Sequence, residues 1–272
     1  MRPRHLATTM LAGALALAGS SSPALAAPAG SAPVVTTAHR GAMAYAPENT
    51  LAAFRLGIAQ GATWIESDVQ LTRDGEPVLM HDTTLARTTD AEHRFPDRAP
   101  WRVREFTLAE IRQLDAGSWF GPEFEGERVP TLAEMVALIR PSRSGLILEL
   151  KSPDLSPGVQ RKVIEVFESF PGYVSAALAS DRLSVQSFDW GAMKSYAELA
   201  PETPVGLLGA PPVAELPAYA AWAEQINPNA TQATAAYIDA IHASGMEVNA
   251  WTVNDVRTMT RLLDDDVDGI IT

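Results

Sequence analysis

The sequence predicts an α/β protein in which eight parallel strands form a barrel surrounded by helices. Two observations lead to this fold class. Apolar runs rich in β-branched residues alternate with helical stretches, which is typical of parallel strands with helices packed outside them. In addition, roughly 245 residues follow the first 26, a length that suits one large barrel domain.

Nine runs are strand candidates, one more than an eightfold barrel requires. They are residues 33–39, 63–71, 77–81, 145–151, 183–188, 205–209, 224–228, 246–251 and 268–272. A hairpin over residues 70–80 would explain the excess, because Asp74-Gly75 is a strong tight-turn signal that leaves no room for a crossover helix. The run that ends at His81 is then expected to lie antiparallel to the run that carries Glu66 and Asp68.

Helices are predicted between the runs. They cover residues 47–60, 157–170, 190–199, 235–244 and 255–264. Pro47 and Glu48 suit the first turn of the first helix, where a proline is tolerated and an acid meets the positive helix end. The alternation breaks at residues 83–130, where Pro, Gly, charged and aromatic residues mix. This segment is too long for an ordinary loop, so it is predicted to be a small inserted subdomain over one barrel end.

The first 26 residues predict a secretory signal peptide. Arg2 and Arg4 precede an apolar run at residues 6–18, and the pattern Ala24-Leu25-Ala26 is typical of a cleavage site. A membrane anchor is the alternative, but the run is shorter than the ~20 residues of a spanning helix. We therefore expect an exported mature chain of residues 27–272, extracellular or periplasmic, with one barrel domain and no integral membrane segment.

Composition excludes several functions. The chain contains no cysteine, so disulfide and thiolate chemistry are excluded. The formal net charge is −12, and removal of Arg2 and Arg4 with the signal peptide changes it to −14. Such a surface repels nucleic acid and anionic membranes. A small anionic substrate remains compatible, since a bound cation and local basic groups can reverse the field inside a cleft.

Three acids fall near the ends of two candidate strands. Glu66 and Asp68 share one face of the first strand, as Glu149 and Lys151 do on the second. Taken alone, this alternation is more typical of the wet side of a surface strand, but the hairpin would bring His81 level with Glu66 and Asp68. Buried acids are costly unless paired or bound to a cation. Carboxylate ligands favour Ca²⁺ or Mg²⁺, and zinc stays the less favoured alternative because a histidine is at hand.

A set of motifs follows in a fixed order along residues 38–272. In sequence they are HRG, PENT, IESDVQLTRDGEPVLMHD, RTT, FTLAEIRQLDAG, VPTLAEM, LELKS, VQSF, WTVN and DGIIT. Each motif alone is weak, but the ordered set resembles the glycerophosphodiester phosphodiesterase family over most of the chain.

The resemblance implies a triosephosphate-isomerase-type (β/α)8 barrel with an insertion. It also implies metal-dependent cleavage of small glycerophosphodiesters to glycerol 3-phosphate and an alcohol. By position, His39 and His81 would be the acid/base pair, and Arg40 and Lys151 would contact the phosphate. The implied ligands of a divalent cation, Ca²⁺ or Mg²⁺, are Glu66, Asp68 and Glu149. Trp251 is either a wall for the glycerol moiety or part of the barrel core.

The chain departs from the family pattern at two places. Ser67 stands where an aliphatic residue is usual, which we expect to affect packing more than metal binding. Family members usually continue past the position of Thr272 with Asp or Asn, a proline and a closing helix, so the outer face of the last strand is expected to be uncovered.

Two other functions remain open from the sequence. One is a phospholipase D-type enzyme acting on lysolipid or sphingolipid headgroups, which would need a wide apolar mouth. The other is a non-catalytic binding domain on the same barrel, which loss of a site histidine or acid would mark.

Overall fold

A computed structural model of the protein describes residues 34–272. The predicted signal peptide, residues 1–26, lies outside the described residues. Within residues 34–272, none of the helices combines the length and the apolar character needed to cross a bilayer.

Eight parallel strands close into a barrel, which confirms the predicted fold class. The strands of residues 34–272 are β1 (Val35–Ala38), β2 (Trp64–Leu71), β3 (Pro77–Leu79), β4 (Gly145–Leu150), β5 (Leu183–Ser187), β6 (Val205–Leu208), β7 (Gln225–Asn227), β8 (Glu247–Ala250) and β9 (Gly269–Ile271). The ring runs β1-β2-β4-β5-β6-β7-β8-β9 and closes where β9 pairs with β1. The ninth strand, β3, lies outside this ring.

The hairpin prediction is confirmed. β3 pairs antiparallel with the end of β2, with Val69 opposite Leu79. Gly75 in the turn has a φ of +79°, which glycine adopts without steric cost. Because the return strand is so short, His81 leaves the sheet close to the carboxyl end of β2.

Helices follow most barrel strands. Those of the described residues are α1 (Leu51–Ala59), α2 (Ala91–Arg94), α3 (Leu108–Ile111), α4 (Leu132–Ile139), α5 (Val159–Glu168), α6 (Tyr173–Leu178), α7 (Trp190–Leu199), α8 (Leu216–Tyr219), α9 (Ala235–Ala243) and α10 (Val256–Asp264). The five predicted helices are all present. Sequence reasoning missed α4 and α6, although Thr131 and Glu134 form a capping box at the start of α4.

The predicted start of the first helix is wrong. The helix begins at Leu51 rather than Pro47, because the Thr50 hydroxyl accepts a hydrogen bond from the Ala53 N–H and caps it there. Asn49 precedes the cap with a φ of +56°, which takes the chain out of helical geometry. Glu48 therefore does not lie at the helix end, and its role is different.

The main apolar core lies between the barrel and its helices. The faces of β2 and β4 opposite the acids contribute Ile65, Val69 and Leu148 to one buried cluster with Phe54 of α1 and Val163 of α5. Because helices cover this outer face, both faces of these strands are buried.

Residues 83–130 contain two short helices, α2 and α3, and three 3₁₀ turns. The turns are Pro96–Arg98, Val103–Glu105 and Pro122–Phe124. The apolar side chains of this segment form a second buried cluster with Val78 and Met80 at the end of the hairpin. The segment therefore packs beside the strand end from which His81 emerges.

Candidate active site

A cavity lies at the carboxyl ends of the barrel strands. Its free space is about 70 Å³. The lining residues are His39, Arg40, Glu66, His81, Glu149, Lys151, Gln186, Phe188, Leu208, Trp251, Thr252 and Ile271. Seven of the eight site residues expected from the sequence are among them, and the eighth, Asp68, lies beside Glu149 in the register of β2 with β4. The structure thus brings the whole expected set together.

Three carboxylates converge at the base of the cavity. Glu66, Asp68 and Glu149 each place one carboxylate oxygen within 4.8 Å of the others. All three residues are buried. The convergence follows from the fold, since Glu66 and Asp68 share the inner face of β2 and parallel pairing brings Glu149 alongside.

Crowding of the three charges changes their ionisation. Burial and the charges of Asp68 and Glu149 raise the pKa of Glu66 well above its usual range. Burial and the charge of Asp68 raise the pKa of Glu149 to about 8. For Asp68, the positive charges of Lys151 and its other neighbours outweigh the effect of burial and lower the pKa. Burial and mutual repulsion therefore oppose ionisation of Glu66 and Glu149, and added positive charge would favour it.

Two cationic side chains border the acids. The Lys151 ammonium donates to Glu149 Oε1 at 2.9 Å and lies 3.5 Å from Asp68 Oδ1. Arg40 donates its backbone N–H to Glu66 Oε2 at 2.8 Å, and its guanidinium Nε lies 3.6 Å from Asp68 Oδ2. Both side chains line the cavity, so they can meet an anion that enters it.

The two histidines occupy different environments. His39 Nε2 lies 3.9 Å from Glu66 Oε2, and burial together with the charge of Arg40 lowers the pKa of His39 to about 4. His81 is more exposed, and its Nδ1 lies 2.8 Å from Asp82 Oδ1. Because an ionised carboxylate favours the proton on that nitrogen, Nε2 of neutral His81 carries the lone pair.

Trp251 lies at the cavity wall rather than only in the core. Its indole N–H donates to the Asn227 carbonyl at 2.8 Å, which fixes the ring. The ring packs edge to face with Phe188, with centroids 5.4 Å apart. Phe188 is exposed at the mouth. This aromatic pair gives the cavity an apolar side, and Lys151 Nζ lies 5.9 Å from the centroid of the Phe188 ring.

Sequence reasoning underestimated Asn49 and Ser67. The Asn49 amide N–H donates to Asp68 Oδ2 at 2.8 Å, and its oxygen accepts from the Ser67 hydroxyl at 2.7 Å and from the Asp68 N–H. Ser67 therefore supports the acid site through Asn49 and does more than fill space. The sequence signal was the asparagine of the PENT motif, Asn49. Its partners, Ser67 and Asp68, are identified only by the fold.

Glu48, Asp82 and Arg87 also lie at the site and were not expected there. The guanidinium of Arg87 hydrogen-bonds both carboxylates. Glu48 in turn accepts from Arg40, and Asp82 contacts His81. These charged residues surround the cavity on the side of the insertion.

The acid cluster fits a divalent cation. Three carboxylate oxygens converge, and Asp68 Oδ1 is buried without a hydrogen-bond partner among the described residues. A hard cation prefers such oxygens and would relieve the repulsion that raises the pKa of Glu66 and Glu149. The site therefore combines a place for a cation, two basic groups for an anion and two histidines able to move protons.

Comparisons with known proteins agree with this arrangement. A model of the glycerophosphoryl diester phosphodiesterase family matches residues 39–272. The YhdW protein of Bacillus subtilis is 37% identical over 86% of this chain and 92% of its own length. A glycerophosphodiester phosphodiesterase of Caldanaerobacter subterraneus is 36% identical, with 86% and 92% covered.

A solved structure is also similar to this chain. It is an Oleispira antarctica phosphodiesterase in complex with its product sn-glycerol 3-phosphate. It superposes with a TM-score of 0.77 at 33% identity and covers 87% of this chain and 92% of its own.

The contacts of Asn49 predict a stability cost larger than its backbone conformation explains. Asn49→Ala leaves the Ser67 hydroxyl and the Asp68 N–H buried without their acceptor, so we expect urea unfolding of metal-free protein to show a loss of about 3 kcal/mol. Asp181→Ala is the matched control, because Asp181 has a similar φ of +47° but is exposed. Its expected cost is only about 1 kcal/mol. Equal costs for the two variants would contradict a supporting role for the Asn49 amide.

Proposed function

The chain belongs to the glycerophosphoryl diester phosphodiesterase family, and we propose that it hydrolyses glycerophosphodiesters to glycerol 3-phosphate and an alcohol in the cavity of the acid cluster. The observation that carries the proposal is the convergence of Glu66, Asp68 and Glu149 beside two histidines and two cationic side chains. The bound product of the Oleispira antarctica relative supports a glycerol phosphate product.

The side chains divide the work of phosphodiester cleavage. Arg40 and Lys151 bind the anionic diester and neutralise charge that builds on its phosphoryl oxygens. His39 and His81 transfer the protons, one from the nucleophile and one to the departing alkoxide. A divalent cation, Ca²⁺ or Mg²⁺, would be held by Glu66, Asp68 and Glu149 and supplies positive charge at a phosphoryl oxygen when bound.

The cavity favours this reaction over the alternatives. Most of its lining side chains are charged or polar, which suits a small polar substrate better than an acyl chain and favours a glycerophosphodiester over a lysolipid or sphingolipid. Both histidines and all three acids face or adjoin the same cavity, which argues against a non-catalytic binding domain. The Trp251–Phe188 pair provides a wall for the carbon chain of glycerol.

Substrate class and metal dependence are tested together. We expect purified enzyme to release glycerol 3-phosphate from glycerophosphocholine and glycerophosphoethanolamine in preference to lysophosphatidylcholine. Chelation should abolish release, because the acid cluster then loses its compensating charge. Added Ca²⁺ or Mg²⁺ should restore release. Full activity after exhaustive chelation would contradict the metal proposal, and preference for the lysolipid would favour the phospholipase D-type reaction.

Glu149→Gln separates metal binding from folding. The change removes one ligand charge but keeps the shape, so we expect at least ~10-fold weaker metal binding by calorimetry. The stabilisation that added metal confers on thermal unfolding should shrink accordingly. Glu165→Gln is the control, since Glu165 is an exposed glutamate of α5 paired with Lys162. Unchanged metal affinity in the Glu149 variant would remove this residue from the ligand set.

The histidine pair predicts large losses in turnover. His39→Ala and His81→Ala should each lower turnover by roughly 10²-fold or more, because each removes a proton-transfer group. His93→Ala, at an exposed position in the insertion, should leave turnover unchanged. A folded variant of either site histidine with nearly wild-type turnover would exclude that histidine from the chemical step.

Export is part of the proposal and rests on the sequence. Arg2, Arg4, the apolar run and the Ala24-Leu25-Ala26 pattern support cleavage after Ala26. Amino-terminal sequencing of secreted protein should therefore begin at Ala27. An intact Met1 on secreted material would contradict it.

A further inference from the structure

Arg87 lies at the centre of a chain of ionic hydrogen bonds. Its Nε and Nη2 donate to the two oxygens of Asp82 at 2.7 and 2.9 Å. Its Nη1 and Nη2 donate to the two oxygens of Glu48 at 2.8 and 2.7 Å. One planar guanidinium therefore fixes two carboxylates at once, a geometry that an ammonium group cannot reproduce.

Each of these carboxylates contacts a residue of the proposed active site. Asp82 Oδ1 lies 2.8 Å from His81 Nδ1. Glu48 Oε1 accepts from Arg40 Nη1 at 2.9 Å. Arg87 itself does not line the cavity. Arg87 is thus linked through Asp82 to a proposed proton-transfer group, His81. It is linked through Glu48 to a proposed phosphate-binding group, Arg40.

The arrangement differs from an ordinary surface ion pair. Glu48 is only 8% exposed, so its charge depends on its two arginine partners. Burial opposes ionisation of Glu48, but hydrogen bonding and charge from Arg87 and Arg40 outweigh it and lower the pKa. The exposed pair of Arg102 and Glu105, in the same insertion, has a single contact at 3.0 Å and reaches no site residue by a hydrogen bond among the described residues.

We propose that Arg87 is a positioning residue that aligns His81 through Asp82 and Arg40 through Glu48. The proposal rests on the proposed phosphodiesterase function, since it assigns roles to His81 and Arg40. It gives the RTT motif a physical purpose, because Arg87 is the arginine of that motif. The two halves of the site, proton transfer and anion binding, are then held by one side chain from the insertion.

The proposal predicts a division between kcat and KM for glycerophosphocholine. Asp82→Asn should lower kcat ~10-fold with KM changed less than about twofold, because His81 loses its alignment while Arg87 keeps both hydrogen bonds to Glu48. Glu48→Gln should raise KM ~10-fold, because Arg40 loses its partner. Arg87→Lys keeps the charge but cannot hydrogen-bond both carboxylates as the guanidinium does. It should therefore lower kcat and raise KM. Arg102→Lys is the control and should change neither.

Double variants distinguish positioning from general loss of stability. If Arg87 acts through Asp82, then Arg87→Lys combined with Asp82→Asn should have the kcat of Asp82→Asn alone. The same holds for KM when Arg87→Lys is combined with Glu48→Gln. Effects that multiply in both double variants, or wild-type kinetics in Arg87→Lys, would overturn the proposal.

A spectroscopic readout keeps this test independent of activity. In ¹⁵N-histidine-labelled protein at a pH where the ring is neutral, His81 should carry its proton on Nδ1 in the wild type. The populations should shift towards Nε2 in Asp82→Asn and in Arg87→Lys, with the resonances assigned by their absence in His81→Ala. If the tautomer shifts as expected in both variants but the wild-type protein fails to cleave glycerophosphodiesters, the proposed function alone is contradicted. An unchanged tautomer in both variants would contradict the positioning role alone.

Discussion

The three carboxylates at the base of the cavity are the constraint on which the rest of the site depends. Glu66, Asp68 and Glu149 share a volume only a few ångströms across, where burial and mutual repulsion raise the pKa of two of them. Such a cluster is unfavourable unless positive charge and hydrogen-bond donors are placed around it. Arg40, Lys151 and the Asn49 amide supply part of this compensation: Arg40 and Asn49 reach the acids from the segment between β1 and α1, and Lys151 reaches them from the end of β4.

Positive and negative charges alternate outward from this cluster. Arg40 neutralises the acids on one side and is held by Glu48, which is held in turn by Arg87. Arg87 also binds Asp82, and Asp82 contacts His81. Each link of this chain from Asp68 outward to Asp82 thus joins groups of opposite sign. This alternation explains how a protein with a formal net charge of −12 can present basic groups to an anionic phosphodiester.

The sequence predicted the features that depend on local pattern. The period-2 alternation of β2 and β4 placed their acids on one face, and the Asp74-Gly75 turn brought His81 to them. The predicted start of α1 was wrong because Pro47 and Thr50 are both plausible helix starts. Only the geometry of the cap decides between them. The bond from Arg87 to Glu48 joins residues 39 positions apart in loops without periodicity. No local pattern indicates such a pair, so the outer charges became visible only in the fold.

Neutral amides beside the acids complete the electrostatic arrangement, since Gln186 is in register with Glu149 and lines the same cavity. Asn227 donates to Gln186 Oε1 and accepts from Asn249, and its carbonyl accepts from the Trp251 indole. Glycines make room for these amides, because a Cβ at Gly206 would lie 2.7 Å from Asn227 Nδ2. A charged residue at this level would add to the crowding or neutralise the acids permanently. An apolar residue in place of Asn227 would leave Gln186 Oε1 without its donor and Asn249 Nδ2 without its acceptor. These uncharged amides therefore hold the cavity wall without adding charge, and the charge of the three acids is balanced instead by Arg40 and Lys151.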